Sequence, residues 1–416
     1  MNDRPLRVLL FNEFFYPDNQ GGTATATSNI ASRLKHQHGA DVTVITGPYA
    51  YRDPAITYPA FEDWDGIPIH RASSPNWSRE RTAKRFIGNY LFALSAAWRA
   101  LRVPRPDVVL VTTAPLTLPI AARLLLKLRR VPFAYLIYDL DPDRTIALKV
   151  MPEDSRQVRM LRKEQTKWLH SAERVIAIGR CMRDHLIRSY RLNPSKMAVV
   201  EVGADPDVVR PLPRDTAFRK KNDLTGFLAL YSGNFGQYHN FDTILSAAEK
   251  LKSTHPEITF ILGGGGHKKK DVEAEVAARG LTNIRMFGFV PEEELADLLA
   301  SADVHLVTLE EGMEGLCVPS KFYTCLASGR PTFALMSAGT EVARVVEEHD
   351  CGERLDVFDA DAFAAAIVRA SNETERLARQ GDNARRTFDD LYSTDKVVAK
   401  MYGVLADCAG RGASTR

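Results

Sequence analysis

The sequence predicts an α/β protein built from two doubly wound, Rossmann-like domains that face a central cleft. Short, β-rich apolar segments alternate with helix-length stretches in both halves of the 416-residue chain. A polar stretch crowded with prolines, residues 203–213, separates the two halves. This alternation is typical of parallel sheets with right-handed crossovers, whose ligands bind at the carboxyl ends of the strands.

Ten segments predict buried strands. In the first half they are Arg7–Phe11, Asp41–Thr46, Val108–Thr112, Phe133–Ile137 and Arg174–Ile178. In the second half they are Leu228–Ser232, Ile258–Leu262, Ile284–Phe287, Val304–Thr308 and Pro331–Leu335. We expect a first domain over residues 1–205 and a second over residues 206–390. Residues 391–416 are expected to form a helix that packs back on the first domain and ends in a mobile tail.

The composition argues against several classes of protein. Hydrophobic residues make up 45% of the chain, which is enough for sizeable cores and excludes a disordered protein. The five cysteines are scattered and form no Cys-x-x-Cys pair, which argues against a disulfide framework and a zinc site. They are Cys181, Cys317, Cys325, Cys351 and Cys408. With neither a signal peptide nor a membrane-spanning apolar run in the sequence, we expect a cytoplasmic protein.

The charge is distributed unevenly along the chain. Residues 1–200 hold 30 Lys and Arg against 18 Asp and Glu, whereas residues 201–416 hold 25 against 34, for net charges of +12 and −9. No nucleic-acid recognition motif accompanies the basic half. Arg79, Arg81, Lys84 and Arg85 precede an apolar stretch, 86–92, as in helices that lie on anionic lipid. The alternative is a core helix with a solvated first turn.

Glycine clusters follow several predicted strands. They are Gly21-Gly22, Gly233-Asn234-Phe235-Gly236 and Gly263–Gly266. Missing side chains let backbone N–H groups approach a phosphate or a sugar closely. None of the clusters is a dinucleotide fingerprint or a phosphate loop ending in Gly-Lys-Ser/Thr. Each cluster alone is also typical of an ordinary strand-to-helix turn.

The segment 315–331 predicts a helix whose start is suited to an anion. Pro319 and Ser320 favour the first helical turn, and Gly329 followed by Pro331 predicts the end. Lys321 adds a positive charge to the free N–H groups and the helix dipole at this start. The pattern is suited to a diphosphate, with an ordinary capped surface helix as the alternative.

These pieces together resemble the retaining glycosyltransferases of GT-B fold, and in particular family 4. The resemblance is to the branch that builds bacterial surface polysaccharides, where amino-sugar transferases occur. The matching pieces are collinear over nearly the whole chain. They are Tyr16-Pro17 with Gly21-Gly22, Asp139-Leu140 with Pro142, Gly203 with Asp205, Gly233-Asn234-Phe235-Gly236, Gly263–Gly266, Phe287-Gly288-Phe289-Val290, Ala302-Asp303, and Pro319-Ser320-Lys321 through Gly329 and Pro331.

The resemblance implies a set of site residues. Asp139 would sit beside the reacting carbon, and Lys321 would serve both the diphosphate and catalysis. The implied donor-binding residues are Gly21, Gly22, Gly233, Asn234, Gly236, His239, Gly264, Phe289, Val290, Pro319, Ser320, Lys321 and Thr324. The implied transfer retains the anomeric configuration, uses no metal and needs no cofactor, since the helix dipole and basic side chains neutralise the leaving diphosphate.

The chain also departs from the family pattern. Leu316 and Thr324 stand where many members have two glutamates, the second of which grips the ribose hydroxyls. Asn234 and His239 stand where an Arg and a Lys commonly hold the diphosphate, and Tyr138 replaces a frequent histidine. A threonine hydroxyl can accept a hydrogen bond from ribose, but a neutral and weaker one.

The functional expectation is transfer of a hexosyl or amino-sugar group from a nucleotide-sugar, with UDP-sugars favoured. The acceptor would be a small molecule, a glycan or a lipid-linked intermediate, with peripheral contact to the inner membrane face. No nucleic-acid partner is expected, and the sequence indicates no oligomeric state. A nucleotide-sugar epimerase is one alternative, although His36, His38 and His70 lie outside the expected cleft loops. A degenerate binding protein is the other.

Overall fold

The computed structural model describes residues 4–18, 22–51, 53–77 and 82–411. The chain divides into two compact units. Unit 1 comprises residues up to Glu201 together with the segment from Asp395 onward, and unit 2 comprises Val202–Thr394. The mobile tail expected at the C-terminus falls on residues 412–416, outside the described residues.

Unit 1 contains a doubly wound sheet. Its described strands are β1 (Arg7–Phe11), β2 (Asp41–Thr46), β3 (Phe61–Trp64), β4 (Ile67–Arg71), β5 (Val108–Thr112), β6 (Phe133–Ile137), β7 (Arg174–Ala177) and β8 (Met197–Val199). They lie in the order β3-β4-β2-β1-β5-β6-β7-β8, and only the β3–β4 hairpin is antiparallel. Every residue of β5 and β6 is buried, as expected for central parallel strands covered on both faces.

Helices cover both faces of this sheet. They are α1 (Gly22–His36), α2 (Thr82–Ala100), α3 (Pro119–Arg129), α4 (Asp143–Ala147), α5 (Arg156–Ser171) and α6 (Arg180–Tyr190), with a short 3₁₀ turn at Pro194–Lys196. The C-terminal helix of the chain, Thr394–Cys408, also packs on this unit after its first residue. Ion pairs hold it there: Arg33 contacts Asp395 at 2.8 Å, and Lys400 contacts Glu201 at 3.0 Å.

Unit 2 contains a parallel sheet of the same type. Its described strands are β9 (Phe227–Asn234), β10 (Ile258–Gly265), β11 (Ile284–Phe287), β12 (Val304–Thr308), β13 (Thr332–Leu335) and β14 (Gly352–Leu355). Their order is β11-β10-β9-β12-β13-β14. The helices are α7 (Ala217–Lys221), α8 (Asp242–Leu251), α9 (Lys269–Ala278), α10 (Glu292–Ala300), α11 (Lys321–Ala327), α12 (Glu341–Glu348), α13 (Ala360–Asn372) and α14 (Thr374–Thr387), followed by a π-helical turn at Phe388–Tyr392.

The prediction of two doubly wound α/β units is confirmed, and each of the ten predicted strands forms. The sequence analysis missed β3, β4, β8 and β14. The strands β3 and β14 have partly exposed, charged sequences (FEDW and GERL), and β8 has only three residues. Edge strands of this kind bury too few apolar side chains to give a periodic signal.

The carboxyl ends of β9 and β10 lie unusually close together at two glycines. A Cβ on Gly264 would lie 1.8 Å from the carbonyl oxygen of Gly233, and the φ of Gly264 is +126°. A Cβ on Gly266, which has a φ of +140°, would lie 2.3 Å from Asn234 Oδ1. Only glycine fits such positions, so these clusters interlock two strand ends.

Gly264→Ala should lower the free energy of unfolding of unit 2 by about 2–4 kcal/mol. The new Cβ would clash with the Gly233 carbonyl, and alanine would be strained at the positive φ of this position. All four tryptophans of the chain lie in unit 1, so tryptophan fluorescence follows unit 1 while far-UV circular dichroism follows both units. In urea, the variant should lose the circular dichroism signal early and keep its fluorescence midpoint. Gly288→Ala, whose Cβ would have no atom within 4 Å, is the matched control. Equal circular dichroism midpoints for wild type and Gly264→Ala would contradict the close packing of the two strand ends at Gly264.

Candidate functional site

The strand order of unit 2 creates a switch point between β9 and β12. The chain winds one way from β9 to β11 and the other way from β12 to β14. Loops that leave two such strands diverge and open a crevice at their carboxyl ends, where doubly wound proteins bind ligands. The glycine turn 233–236 and the segment 309–320, which leads into α11, both begin at this crevice.

Lys321, the first residue of α11, lies across the end of β9. Its ammonium donates a hydrogen bond to Tyr231 Oη and stands 3.7 Å from the centroid of the tyrosine ring. A Cβ on Gly233 would lie 3.0 Å from Lys321 Cε and 3.3 Å from Nζ. A side chain at residue 233 would therefore crowd the lysine, and the φ of +149° also favours glycine there.

The position of Lys321 changes its acidity. Burial lowers the pKa of Lys321 to about 7, and the nearby Cys325 thiol opposes this shift weakly. An ammonium in an apolar setting loses hydration, which favours the neutral amine. Lys321 is therefore only partly protonated near pH 7, and an incoming anion would stabilise its charged form.

His239 is buried beneath the glycine turn and holds its shape. Its Nδ1 accepts a hydrogen bond from Gly236 N–H at 3.2 Å and lies 3.1 Å from Tyr231 Oη. Burial, together with the charges of Lys321 and Lys268, holds the pKa of His239 well below its usual value. The ring is therefore neutral at physiological pH, and it links the turn to the tyrosine that contacts Lys321.

Two of the predicted donor-binding glycines have their N–H groups occupied within the protein. Gly236 N–H is bonded to His239, and Gly264 N–H donates to the carbonyl of Gly288 at 3.2 Å. The Gly264 carbonyl accepts from Lys269 Nζ at 2.8 Å. Both N–H groups donate within the protein in this structure, so we propose that these two glycines contribute to donor binding through the shape of the turn.

The helix α11 begins at Lys321 rather than at Pro319. Pro319 is buried, and Ser320 occupies the N-cap position but makes no side-chain cap and is exposed. Thr324 Oγ1 donates to the Lys321 carbonyl at 2.7 Å. Because its single proton is used there, the Thr324 hydroxyl can only accept a further hydrogen bond.

Three further predicted donor residues surround the same strand ends. Asn234 is exposed at the tip of the glycine turn. Phe289 is exposed as well, with its ring edge against Gly265, where an added Cβ would lie 2.9 Å away. Val290, the next residue, is half-buried. The structure thus brings Asn234, Phe289 and Lys321 to one end of one sheet.

Sequence analysis missed two supports of this site. Tyr231 has the appearance of an ordinary buried strand residue, and no pattern marks its contact with Lys321. Glu310, just after β12, accepts hydrogen bonds from Lys268 at 3.0 Å and from Asn240 at 3.2 Å. This bridge ties three loops together at the switch point, and residues so far apart in sequence give no joint signal.

Asp139 and Gly22 lie in unit 1, while Gly21 lies outside the described residues. Gly22 is the exposed first residue of α1. Asp139 follows β6 and pairs with Arg144 at 2.7 Å, and Arg144 also contacts Asp141 at 3.0 Å. Desolvation raises the pKa of Asp139, Arg144 opposes this, and Asp141 adds to it.

Asp143 anchors the loop that follows β6 through buried contacts. It is buried and contacts Arg162 at 2.8 Å and His185 at 3.1 Å. Burial alone would raise its pKa, but the hydrogen bonds from His185 and Arg162 hold the pKa of Asp143 below its usual value. Asp139 and Asp141 therefore face one way with Arg144, while Asp143 faces the core.

A cavity of about 750 Å³ lies beside this loop within unit 1. It lies where the strand order reverses between β1 and β5, the switch point of this sheet. Its aromatic lining residues are Phe14, Tyr49, Tyr51, Trp77 and Phe86, and its polar lining includes Glu13, Asn76, Asn89, Asp141 and Arg144. Aromatic faces alternating with hydrogen-bonding groups are suited to a polar organic ligand such as a sugar.

Within the described part of the chain, no group of His, Cys, Asp and Glu is arranged to hold a metal ion. No described helix is long and apolar enough to cross a membrane. All five cysteines are buried, and none of them forms a disulfide.

Two family models match the chain. A glycosyl transferase 4-like domain matches residues 21–203, and the glycosyl transferases group 1 domain matches residues 214–387. The two matches fall on the two halves of the chain, and both are glycosyltransferase models.

Individual proteins show the same similarity. A probable glycosyltransferase, WbjE of Pseudomonas aeruginosa, is 30% identical over 363 residues, which cover 87% of this chain and 88% of that protein. A putative colanic acid biosynthesis glycosyl transferase, WcaI of Escherichia coli K12, is 26% identical and covers 92% and 97% of the two chains. The structure of Anabaena HepE in complex with UDP superposes with a TM-score of 0.73 at 14% identity, over 97% of this chain and all of that one.

Proposed function

This chain belongs to the family 4 glycosyltransferases of GT-B fold, and we propose that it transfers a sugar from a nucleotide-diphosphate sugar to an acceptor hydroxyl with retention of configuration. The observation that carries this proposal is Lys321, held over Gly233 and Tyr231 at the switch point of unit 2. A partly desolvated ammonium at such a crevice is suited to a diphosphate.

The donor occupies the strand ends of unit 2 in this proposal. The diphosphate lies against Lys321 and the turn that contains Gly233 and Asn234. The Thr324 hydroxyl accepts a hydrogen bond from a ribose hydroxyl, and the exposed ring of Phe289, with Val290, packs on the base. UDP is the favoured nucleotide, and the UDP-bound structure of the fold relative HepE supports this choice.

The reaction proceeds without a metal. The bond between the anomeric carbon and the diphosphate oxygen breaks, and the acceptor oxygen bonds to the same face of that carbon. The acceptor proton passes to the leaving phosphate oxygen. Lys321 stabilises the charge that develops on the diphosphate. Asp139, oriented by Arg144, is the proposed carboxylate beside the reacting carbon.

The acceptor in this proposal is a glycan or a lipid-linked intermediate of a bacterial surface polysaccharide. The name of WcaI refers to colanic acid biosynthesis, which supports this class. The aromatic cavity of unit 1 is the proposed acceptor site, because it combines stacking faces with hydrogen-bonding groups at a switch point. The enzyme would then work in the cytoplasm at the inner membrane face.

The epimerase alternative finds little support among the histidines considered for it. His36 pairs with Asp65 at 2.8 Å, His38 stacks on Tyr402, and His70 packs against Phe61. None of these three lines the cavity. An intact Lys321 contact also disfavours a protein that has lost donor binding.

A thermal-shift panel of UDP, GDP, ADP, CMP and dTDP, each with and without magnesium, tests the proposed function. A ligand that binds only the folded state raises the melting temperature as it saturates the site, and no acceptor is needed. We expect one clear shift, from UDP, that is unaffected by magnesium. The absence of a shift at millimolar concentrations would overturn the transferase proposal in favour of a degenerate protein.

Lys321→Ala should weaken binding of UDP by about 1.5–3 kcal/mol, the range for hydrogen bonds to charged groups. Isothermal titration calorimetry measures the affinity, and circular dichroism checks that the fold is retained. Lys250→Ala, which removes an exposed lysine paired with Asp361, is the matched control and should bind as wild type. Wild-type affinity in Lys321→Ala would refute the site assignment.

The affinity for a UDP-sugar should depend on pH through Lys321. Only the protonated lysine attracts the diphosphate, and its pKa in the free protein is about 7. Affinity should therefore be constant below pH 7 and fall above it by up to about tenfold per pH unit, until the higher pKa of the complex is reached. A UDP-sugar is the right probe because its diphosphate does not titrate here. A flat profile in wild type, or the same slope in Lys321→Ala, would contradict this role.

A further inference from the structure

The helix α2 carries a row of large apolar side chains that point into solvent. Ile87, Leu91, Leu94 and Trp98 are 54%, 44%, 51% and 57% exposed. Their spacing of four, three and four residues places them on one face of the helix. We call these four residues the apolar ridge. Single exposed apolar residues are common on protein surfaces, but a contiguous row marks an interaction site.

The opposite face of α2 is buried, which holds the helix in an orientation that exposes the ridge. Phe92, Ala93, Ala96 and Ala100 are buried, so the helix cannot rotate to hide the ridge. The structure thereby corrects the sequence interpretation of the stretch 86–92. Phe92 belongs to the core, whereas Leu94 and Trp98 extend the exposed row. Arg79 and Arg81 lie outside the described residues, as does the side chain of Arg85.

The end of α3 carries a further exposed apolar residue near the end of α2. Arg129 donates to the carbonyl of Leu101 at 2.8 Å and to that of Val103 at 3.0 Å, which joins the carboxyl ends of α2 and α3. Leu128, beside Arg129, is 65% exposed. Both helices therefore carry exposed apolar side chains in the region where their ends are joined.

The chain segment that carries the ridge is strongly basic. Residues 82–138 contain nine Lys and Arg but only one acidic residue, Asp107. Asp107 is already paired with Arg4 and Arg411, each at 2.7 Å. Four exposed basic residues lie at the joined ends of α2 and α3: Arg102, Arg105, Lys127 and Arg130. The guanidinium of Arg102 stands 4.3 Å from the centroid of the Trp98 ring.

We propose that this face of unit 1 docks on an anionic lipid bilayer, with the apolar ridge in the acyl boundary and the basic side chains on the headgroups. Tryptophan and arginine side by side, with aliphatic residues along the same stripe, suit the interface between water and lipid. The net positive charge complements anionic headgroups. A second copy of this chain fits poorly, because a symmetric contact would place two uncompensated basic surfaces face to face.

The docked helix also forms part of the cavity. Phe86, Gly88 and Asn89 of α2 line it, and Thr117 Oγ1 donates to the Asn89 carbonyl at 2.8 Å. Docking therefore brings one wall of the proposed acceptor site to the membrane. If the proposed function holds, on which this consequence rests, the acceptor is a membrane-anchored lipid intermediate.

Flotation of the full chain with vesicles tests the docking surface. Wild type should bind vesicles of phosphatidylcholine mixed with phosphatidylglycerol, bind pure phosphatidylcholine weakly, and dissociate in high salt. Leu91→Ala/Leu94→Ala/Trp98→Ala should lower the partition coefficient at least about tenfold, since it removes three exposed apolar side chains. Phe61→Ala/Phe358→Ala removes two exposed aromatic residues elsewhere and should bind as wild type.

A charge variant tests the electrostatic part. Arg102→Gln/Lys127→Gln should weaken binding to mixed vesicles and flatten its salt dependence, whereas Lys220→Gln/Lys221→Gln, in unit 2, should do neither. No binding to anionic vesicles at low salt, or unchanged binding of the ridge variant, would overturn the proposal. A dimer in solution that the ridge variant abolishes would also overturn it in favour of a self-interface. UDP binding is measured in a separate experiment. A result that overturns the membrane-docking proposal would therefore not affect the proposed donor site.

Discussion

The contact of Lys321 with Tyr231 across Gly233 is the constraint on which the proposed donor site depends. The ammonium lies at the end of β9, where a side chain at residue 233 would crowd it, and it is partly desolvated because the tyrosine ring lies beneath it. His239 links the same tyrosine to the glycine turn. One interaction thus sets the position of the cation, its acidity and the shape of the loop beside it.

In each unit the candidate site lies at the switch point of the sheet, but the two sites are built from different groups. The site of unit 2 is built on a cation and backbone turns, and its packing around Gly264 leaves little freedom to rearrange. The site of unit 1 is a large cavity with aromatic walls, lined also by Asp141 and Arg144, and Arg144 pairs with both Asp141 and the neighbouring Asp139. The first is suited to a small, highly charged group and the second to a larger, polar one, and the proposed division between donor and acceptor rests on this difference.

Much of the fold could be predicted from the sequence because buried parallel strands are continuous apolar runs. Lys321 could be singled out because helix start and stop signals flank it. The function of individual glycines could not be predicted, since a glycine indicates a close approach without naming the neighbour, which for Gly264 is the backbone of Gly233. The role of Tyr231 and the choice of which face of α2 is buried could not be predicted from the sequence either, because both depend on contacts between distant segments.

The most direct test of the central claim is a crystal structure of the protein with UDP, from which the distance between Lys321 Nζ and the diphosphate oxygens is measured. The account predicts a diphosphate at the ends of β9 and β12, with one oxygen about 2.7–3.2 Å from Nζ and no metal between them. A diphosphate bound elsewhere, with Lys321 still resting on Tyr231, would contradict it.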